Sequence, residues 1–151
     1  MEKFKLENFK KEYGFKMPLV KTMSFDECRI IRESILLKFN IDKLDKFFII
    51  EEENFIKIEN VNAEDKNLDW FKLLNHINIP IPHEIYINFN RFDKVDVIHF
   101  KDFDKYFSDI WYPSSDDIEI FDITNNWFVS VRHYGAIYYM KIKNNNRYKL
   151  F

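Results

Sequence analysis

Glycine is nearly missing from this chain, and that scarcity excludes a great deal. Only two glycines occur, Gly14 and Gly135. A phosphate-cradling loop or a dinucleotide fingerprint needs several, because the backbone must approach the phosphate without side chains in the way. Nucleotide chemistry of those kinds is therefore excluded. Cysteine is scarcer still: Cys28 stands alone, so neither an internal disulfide nor a cysteine metal cluster can form, which suits a reducing compartment. The opening stretch MEKFKLENFKKEYG lacks the long apolar segment of a secretory signal. No apolar run approaches the roughly 20 residues that a membrane-crossing helix needs. The expectation is a soluble, cytoplasmic protein with no membrane attachment. Alanine is rare too, at Ala63 and Ala136, whereas phenylalanine supplies 17 residues and tyrosine 8, so large rings must fill the core.

What is present reads as one folded domain spanning residues 1–151. Apolar residues make up 46% and charged residues 32%, enough apolar surface to offset the entropy of ordering. The net charge of −2 hides an uneven distribution: residues 47–122 hold 7 basic and 17 acidic side chains, and residues 123–151 hold 5 basic and none acidic. An acidic middle repels nucleic acid and attracts basic partners.

The apolar spacing predicts an amphipathic helix over 3–13, with Leu6, Phe9 and Tyr13 inward and Gly14 as its stop. Ser24 and Glu27 form a capping box before Phe25, Cys28, Ile31, Ile35 and Phe39, which predicts a helix from 25 to about 39. The β-prone runs 47–50 and 54–59, separated by Glu51, Glu52 and Glu53, read as a hairpin with a charged turn. A short helix is expected over 68–76, a half-buried strand over 84–90, an interior strand over 95–100 and a helix over 101–110. The tail predicts three consecutive antiparallel strands, 117–123, 127–133 and 136–142, with Asn144, Asn145 and Asn146 as a turn or frayed end. The fold class is α+β: an antiparallel sheet of about five to seven strands, with N-terminal helices packed on one face.

A catalytic set is hard to assemble from these residues. His76, His83, His99 and His133 have none of the close spacings of a readable zinc site, and Cys28 lies on the apolar stripe of its helix, where thiols are inert. Asp116 and Asp117 could hold a divalent cation with His133 in a metal-dependent hydrolase, yet a Ser-Ser-Asp-Asp turn also uses such side chains to bond its own backbone. An aromatic and basic cluster, Tyr134, Tyr138, Tyr139, Arg132, Lys141, Lys143 and Arg147, offers a nucleic-acid-binding alternative, opposed by the acidic block. The chain reads as a non-enzyme without cofactor or metal. Trp111 and Tyr112, large aromatics beside Asp116, Asp117 and Glu119, suit the anchors of a protein interface with a basic partner, with Glu51, Glu52 and Glu53 as a second patch.

One segment carries a resemblance. The block from Trp111-Tyr112-Pro113 through Asp116-Asp117 to Phe121-Asp122, followed by Trp127 and by His133-Tyr134-Gly135 running to Tyr138, resembles small bacterial proteins similar to immunity proteins of toxin systems, including contact-dependent inhibition. It covers about residues 105–140. The N-terminal Asn-Gly block of the best-known immunity superfamily is missing, since neither Asn40 nor Asn90 is followed by glycine. The resemblance implies a fold and a setting; together with the acidic middle and the missing catalytic set, the expectation is an immunity protein that neutralises a cognate toxin, such as a nuclease with a basic cleft, by covering the toxin's active site.

Overall fold

The computed structural model describes residues 1–142, so Lys143, Arg147 and the Asn144–Asn146 run lie outside the described residues. Helix α1 spans Lys3–Tyr13 and ends on Gly14, whose φ of 78° gives the left-handed stop that glycine adopts without strain. Strand β1 (Leu19–Thr22) follows, then α2 (Phe25–Phe39), whose Ser24 and Glu27 close the expected capping box. The cap satisfies backbone donors otherwise left open and is worth about 1 kcal/mol. Helix α3 is Asp45–Asn54, β2 is Ile56–Lys57 and α4 is Trp70–His76. Strands β3 (Glu84–Asn88) and β4 (Val95–His99) lead into α5 (Phe100–Ile110). The last three strands are β5 (Ile118–Phe121), β6 (Trp127–Val131) and β7 (Ile137–Lys141).

All seven strands join one antiparallel sheet in the order β1-β4-β3-β5-β6-β7-β2, so the α+β class and the sheet match expectation. Alternation along the strands sends side chains to two faces, and both faces are buried. Ile85, Ile87, Ile98, Ile118, Ile120, Val129 and Val131 pack under α1, α4 and α5 around Trp70, Phe103 and Ile110. Tyr86, Val95, Val97, Phe121 and Phe128 pack under α2 and α3. The N-terminal helices thus divide: α2 covers one face while α1 crosses to the other, and the sheet is a middle layer between helices.

The scarcity of small residues shows in the second core. Phe47 is fully buried, with the rings of Phe39, Phe55, Phe92 and Phe128 at 5.2–6.2 Å, all edge-on. Such edge contacts add about 0.5–1.5 kcal/mol per pair to the gain from burial.

Residues 45–54 correct the expected hairpin. Glu51, Glu52 and Glu53 favour helix and supply no residue suited to the positive φ of a tight hairpin turn, so the chain winds on through them. The helix buries Phe47 and, four residues later, Glu51 on one face, while Ile49 is left exposed. The uninterrupted apolar run 47–50 carries no period of its own to separate strand from helix. Only Ile56–Lys57 remains extended, pairing with Tyr139 and Tyr138 of β7 at the sheet edge. The edge strand β1, beginning right after Pro18, is the other element the sequence pattern missed; it is short and largely exposed.

Among the described residues no helix is long and apolar enough to cross a membrane.

Candidate functional site

The core under α2 and α3 is dry at one end and polar at the other. Its strand register aligns Asn88 of β3 with Glu119 of β5, Glu119 with Ser130 of β6, and Ser130 with Tyr138 of β7. These four side chains form one row across the sheet. The adjacent row, beginning with Tyr86 opposite Phe121, is aromatic. Asn88, Glu119 and Ser130 are all buried. Helix α3 lowers Glu51 onto the row from above, with its own side chain only 1% exposed.

Each polar group but one finds a partner. The Asn88 amide donates to Glu119 Oε2 at 2.5 Å, and Asn88 Oδ1 accepts from the backbone N–H groups of Asn90 and Phe92 at 3.2 and 2.7 Å. Ser130 Oγ donates to Glu51 Oε1 at 2.7 Å, and the Arg132 guanidinium pairs with the same oxygen at 2.6 Å. Glu51 Oε2 is buried without a partner.

Two carboxyls and one guanidinium cannot leave both acids ionised in so dry a place. Burial, and then the neighbouring Glu51 charge, push Glu119 up to about 8, against the Asn88 amide and Arg132. Burial also raises Glu51, but Arg132 and Ser130 oppose it directly. At neutral pH the proton therefore sits on Glu119, and Glu51 carries the charge that Arg132 neutralises. A protonated Glu119 is a donor, and the orphaned Glu51 Oε2 is the acceptor it can meet.

The Glu51 end of this buried pair reaches a cavity of about 280 Å³. Glu51 and Arg132 line its base, Glu52 and Asp117 its acidic wall, and His133, Tyr134 and Tyr138 the remainder. Asp117 Oδ1 accepts from the His133 backbone N–H at 2.7 Å and lies 3.0 Å from its ring Nδ1. The hydroxyls of Tyr134 and Tyr138 are 3.3 Å apart, and Tyr134 is 57% exposed, so its ring is open to an incoming group.

The residues expected to form a partner surface separate into two sets. Glu51, Glu52 and Asp117, from segments some 65 residues apart in sequence, converge at the cavity, whereas Glu119 lies buried behind it against Asn88 and is no surface contact. Glu53 is exposed but does not line it. Trp111, Tyr112 and Asp116 build a different structure. Trp111 is 2% exposed, stacked on Phe107 with its indole N–H donating to the Asp116 carbonyl at 2.9 Å, and so is a core residue. Asp116 accepts from the Tyr112 backbone N–H at 2.7 Å and pairs with the fully buried Lys5. Asp116 is thereby committed to Lys5 while Asp117 holds His133.

Of the aromatic and basic cluster, Tyr139 packs against the core under α1, α4 and α5, and Tyr138 against the opposite core. Arg132 is held by Glu51, and Lys141 donates to the Ile77 carbonyl at 2.9 Å. Tyr138 and Tyr139 therefore face opposite sides of the sheet, and only Tyr134 and Tyr138 come together.

Lys5, Asn88 and Ser130 escaped sequence reasoning. A signal existed for the row: Glu119 is a lone charge within Ile-Glu-Ile-Phe, and Ser130 a lone hydroxyl within Phe-Val-Ser-Val, in strands otherwise apolar on both sides. Comparison of the chain with protein-family models, with curated proteins and with solved structures finds no match.

Proposed function

We propose that the chain is a cytoplasmic immunity protein that binds a cognate bacterial toxin domain, a nuclease with a basic cleft, and neutralises it by occluding its active site. The reading is carried by the convergence of Glu51, Glu52 and Asp117 with two tyrosines on one cavity. Such a cavity accepts a lysine or arginine: the carboxylates meet its charge, and the exposed Tyr134 ring covers its alkyl stem. Arg132 keeps the floor from becoming fully anionic, so the exposed Glu52 and Asp117 supply most of the attraction. The resemblance of residues 105–140 to immunity-like proteins supports the same reading.

Glu52→Lys with Asp117→Lys is the variant that tests this, because both side chains are exposed and neither holds the core together. Tagged protein is captured from its own cells, and bound proteins are identified by mass spectrometry. The expected result is one stoichiometric partner with a basic toxin domain, lost with the variant and weakened as salt rises. Equal recovery by both proteins removes the cavity from the interface, and recovery of no partner removes the immunity reading.

A further inference from the structure

We propose a binding site for a divalent transition-metal ion, of the zinc class, formed by His83, Glu84 and His99 where β3 begins and β4 ends. The two histidines are 16 positions apart, a spacing that carries no signal by itself; the antiparallel ladder brings them together. Glu84 lies directly opposite His99 in the register, and the Phe100 N–H donates to the His83 carbonyl at 3.0 Å, extending the pairing by one residue. The two imidazole rings stand 4.9 Å apart, edge to face, and His99 Nδ1 is 4.0 Å from Glu84 Oε1. One ligand atom from each of the three residues lies within 4.8 Å of the other two.

Among the described residues no lysine or arginine pairs with Glu84. Lys21, whose charge reaches it, is engaged by Glu27. The carboxylate is therefore available to a cation. Two imidazoles and one carboxylate select zinc, nickel or copper over magnesium or calcium, which take oxygen donors. Bonds of about 2.0–2.1 Å to a tetrahedral zinc put ligand atoms about 3.4 Å apart. Side-chain rotation at the exposed sheet end is enough to close from the present separations. Three protein ligands leave the fourth position to water.

The site is separate from the carboxylate cavity. Glu84 and Asn88 are four residues apart on β3, about 13 Å along the strand. The two proposals therefore fail independently.

Chelator-treated protein titrated with zinc chloride by calorimetry tests the assignment, with cobalt(II) absorption reporting coordination geometry. One ion per chain is expected. His83→Ala and His99→Ala should each weaken binding by more than the ~10-fold cost usual for an outer-shell partner, and Glu84→Gln by less than either. His76→Ala and His133→Ala should leave it unchanged. Because His83 and His99 are exposed, their metal-free variants should melt with wild-type protein. No binding of zinc, nickel or copper overturns the proposal, and so does zinc binding that survives the His83→Ala, His99→Ala double variant at full strength.

Discussion

Beneath one face of the sheet, Lys5 is buried completely, and every feature around it suits a cation. Its ammonium donates to the Ile110 carbonyl at 3.0 Å, pairs with Asp116, and lies 4.8 Å from the ring centres of both Phe89 and Tyr112. Beneath the other face, Glu51 and Glu119 are buried just as deeply with one guanidinium between them, and one oxygen is left over. The first cluster is balanced and closed, tying α1 to the end of α5 and the 112–116 turn. The second has one fixed cation for two carboxyls, so it is neutral only while Glu119 keeps its proton, and it opens into a cavity. Charge of equal depth thus serves two ends: balanced by a fixed partner, it fixes a chain segment; balanced by a proton, it makes stability depend on pH.

The largest effect should come from breaking the balanced cluster. Lys5→Met leaves Asp116 without its partner in a site where its side chain is 10% exposed. Removing one member of a buried pair costs about 3–5 kcal/mol, read as a lower urea midpoint at pH 7. The double variant Lys5→Met, Asp116→Asn should recover part of that loss, since no charge is then stranded. A cost below about 1 kcal/mol for Lys5→Met would show that the pair adds no more than a surface one.

The unbalanced cluster should respond in the opposite direction. Folded Glu119 holds its proton up to about pH 8, whereas an unperturbed glutamate releases it near 4.5. Between those values the folded chain binds the extra proton, so stability falls as pH rises; the penalty is absent below about 4.5 and complete above about 8. Glu119→Gln should remove most of that slope, leaving the part due to Glu51, and raise stability at pH 8 by on the order of 4 kcal/mol. The amide retains an oxygen for Asn88 and gains an N–H for Glu51 Oε2. Denaturation across pH 5–9 checks both points, and an unchanged slope would mean that Glu119 is ionised throughout.

How far the sequence foretold these clusters depends on the distance over which each is built. Local devices were legible: α1 and α2 fall where apolar spacing, capping box and stop glycine put them. Glu51–Glu53 misled as a turn because the apolar run before them lacks a period, and the packing of Phe47 against Phe39, Phe92 and Phe128 adds to their own helix preference. Trp111 and Asp116 were readable as a conspicuous motif but not as residues that hold the fold, since the burial of Trp111 depends on Phe107 and the pairing of Asp116 on Lys5, 111 positions away. The tetrad Asn88, Glu119, Ser130 and Tyr138 exists only through the register of four strands. In the sequence it is four isolated polar residues.

The smallest effect on the fold should come from the cavity wall, and there the comparison is sharpest. Asp117 and His133 are 46% and 50% exposed, so their contact is screened by water and worth well under about 1 kcal/mol. Asp117→Asn also keeps an oxygen to accept from the His133 backbone N–H. The urea midpoint should therefore shift little, in contrast to Lys5→Met. Binding should not be spared in the same way, because the lost charge is one of the two exposed carboxylates available to a basic group. The measurement pairs the variant's urea midpoint with the salt dependence of its complex with the captured partner. A near-normal midpoint with a shallower salt slope assigns Asp117 to recognition. A lowered midpoint with an unchanged slope assigns it to holding the 133–135 turn, and leaves Glu52 as the wall's only contact.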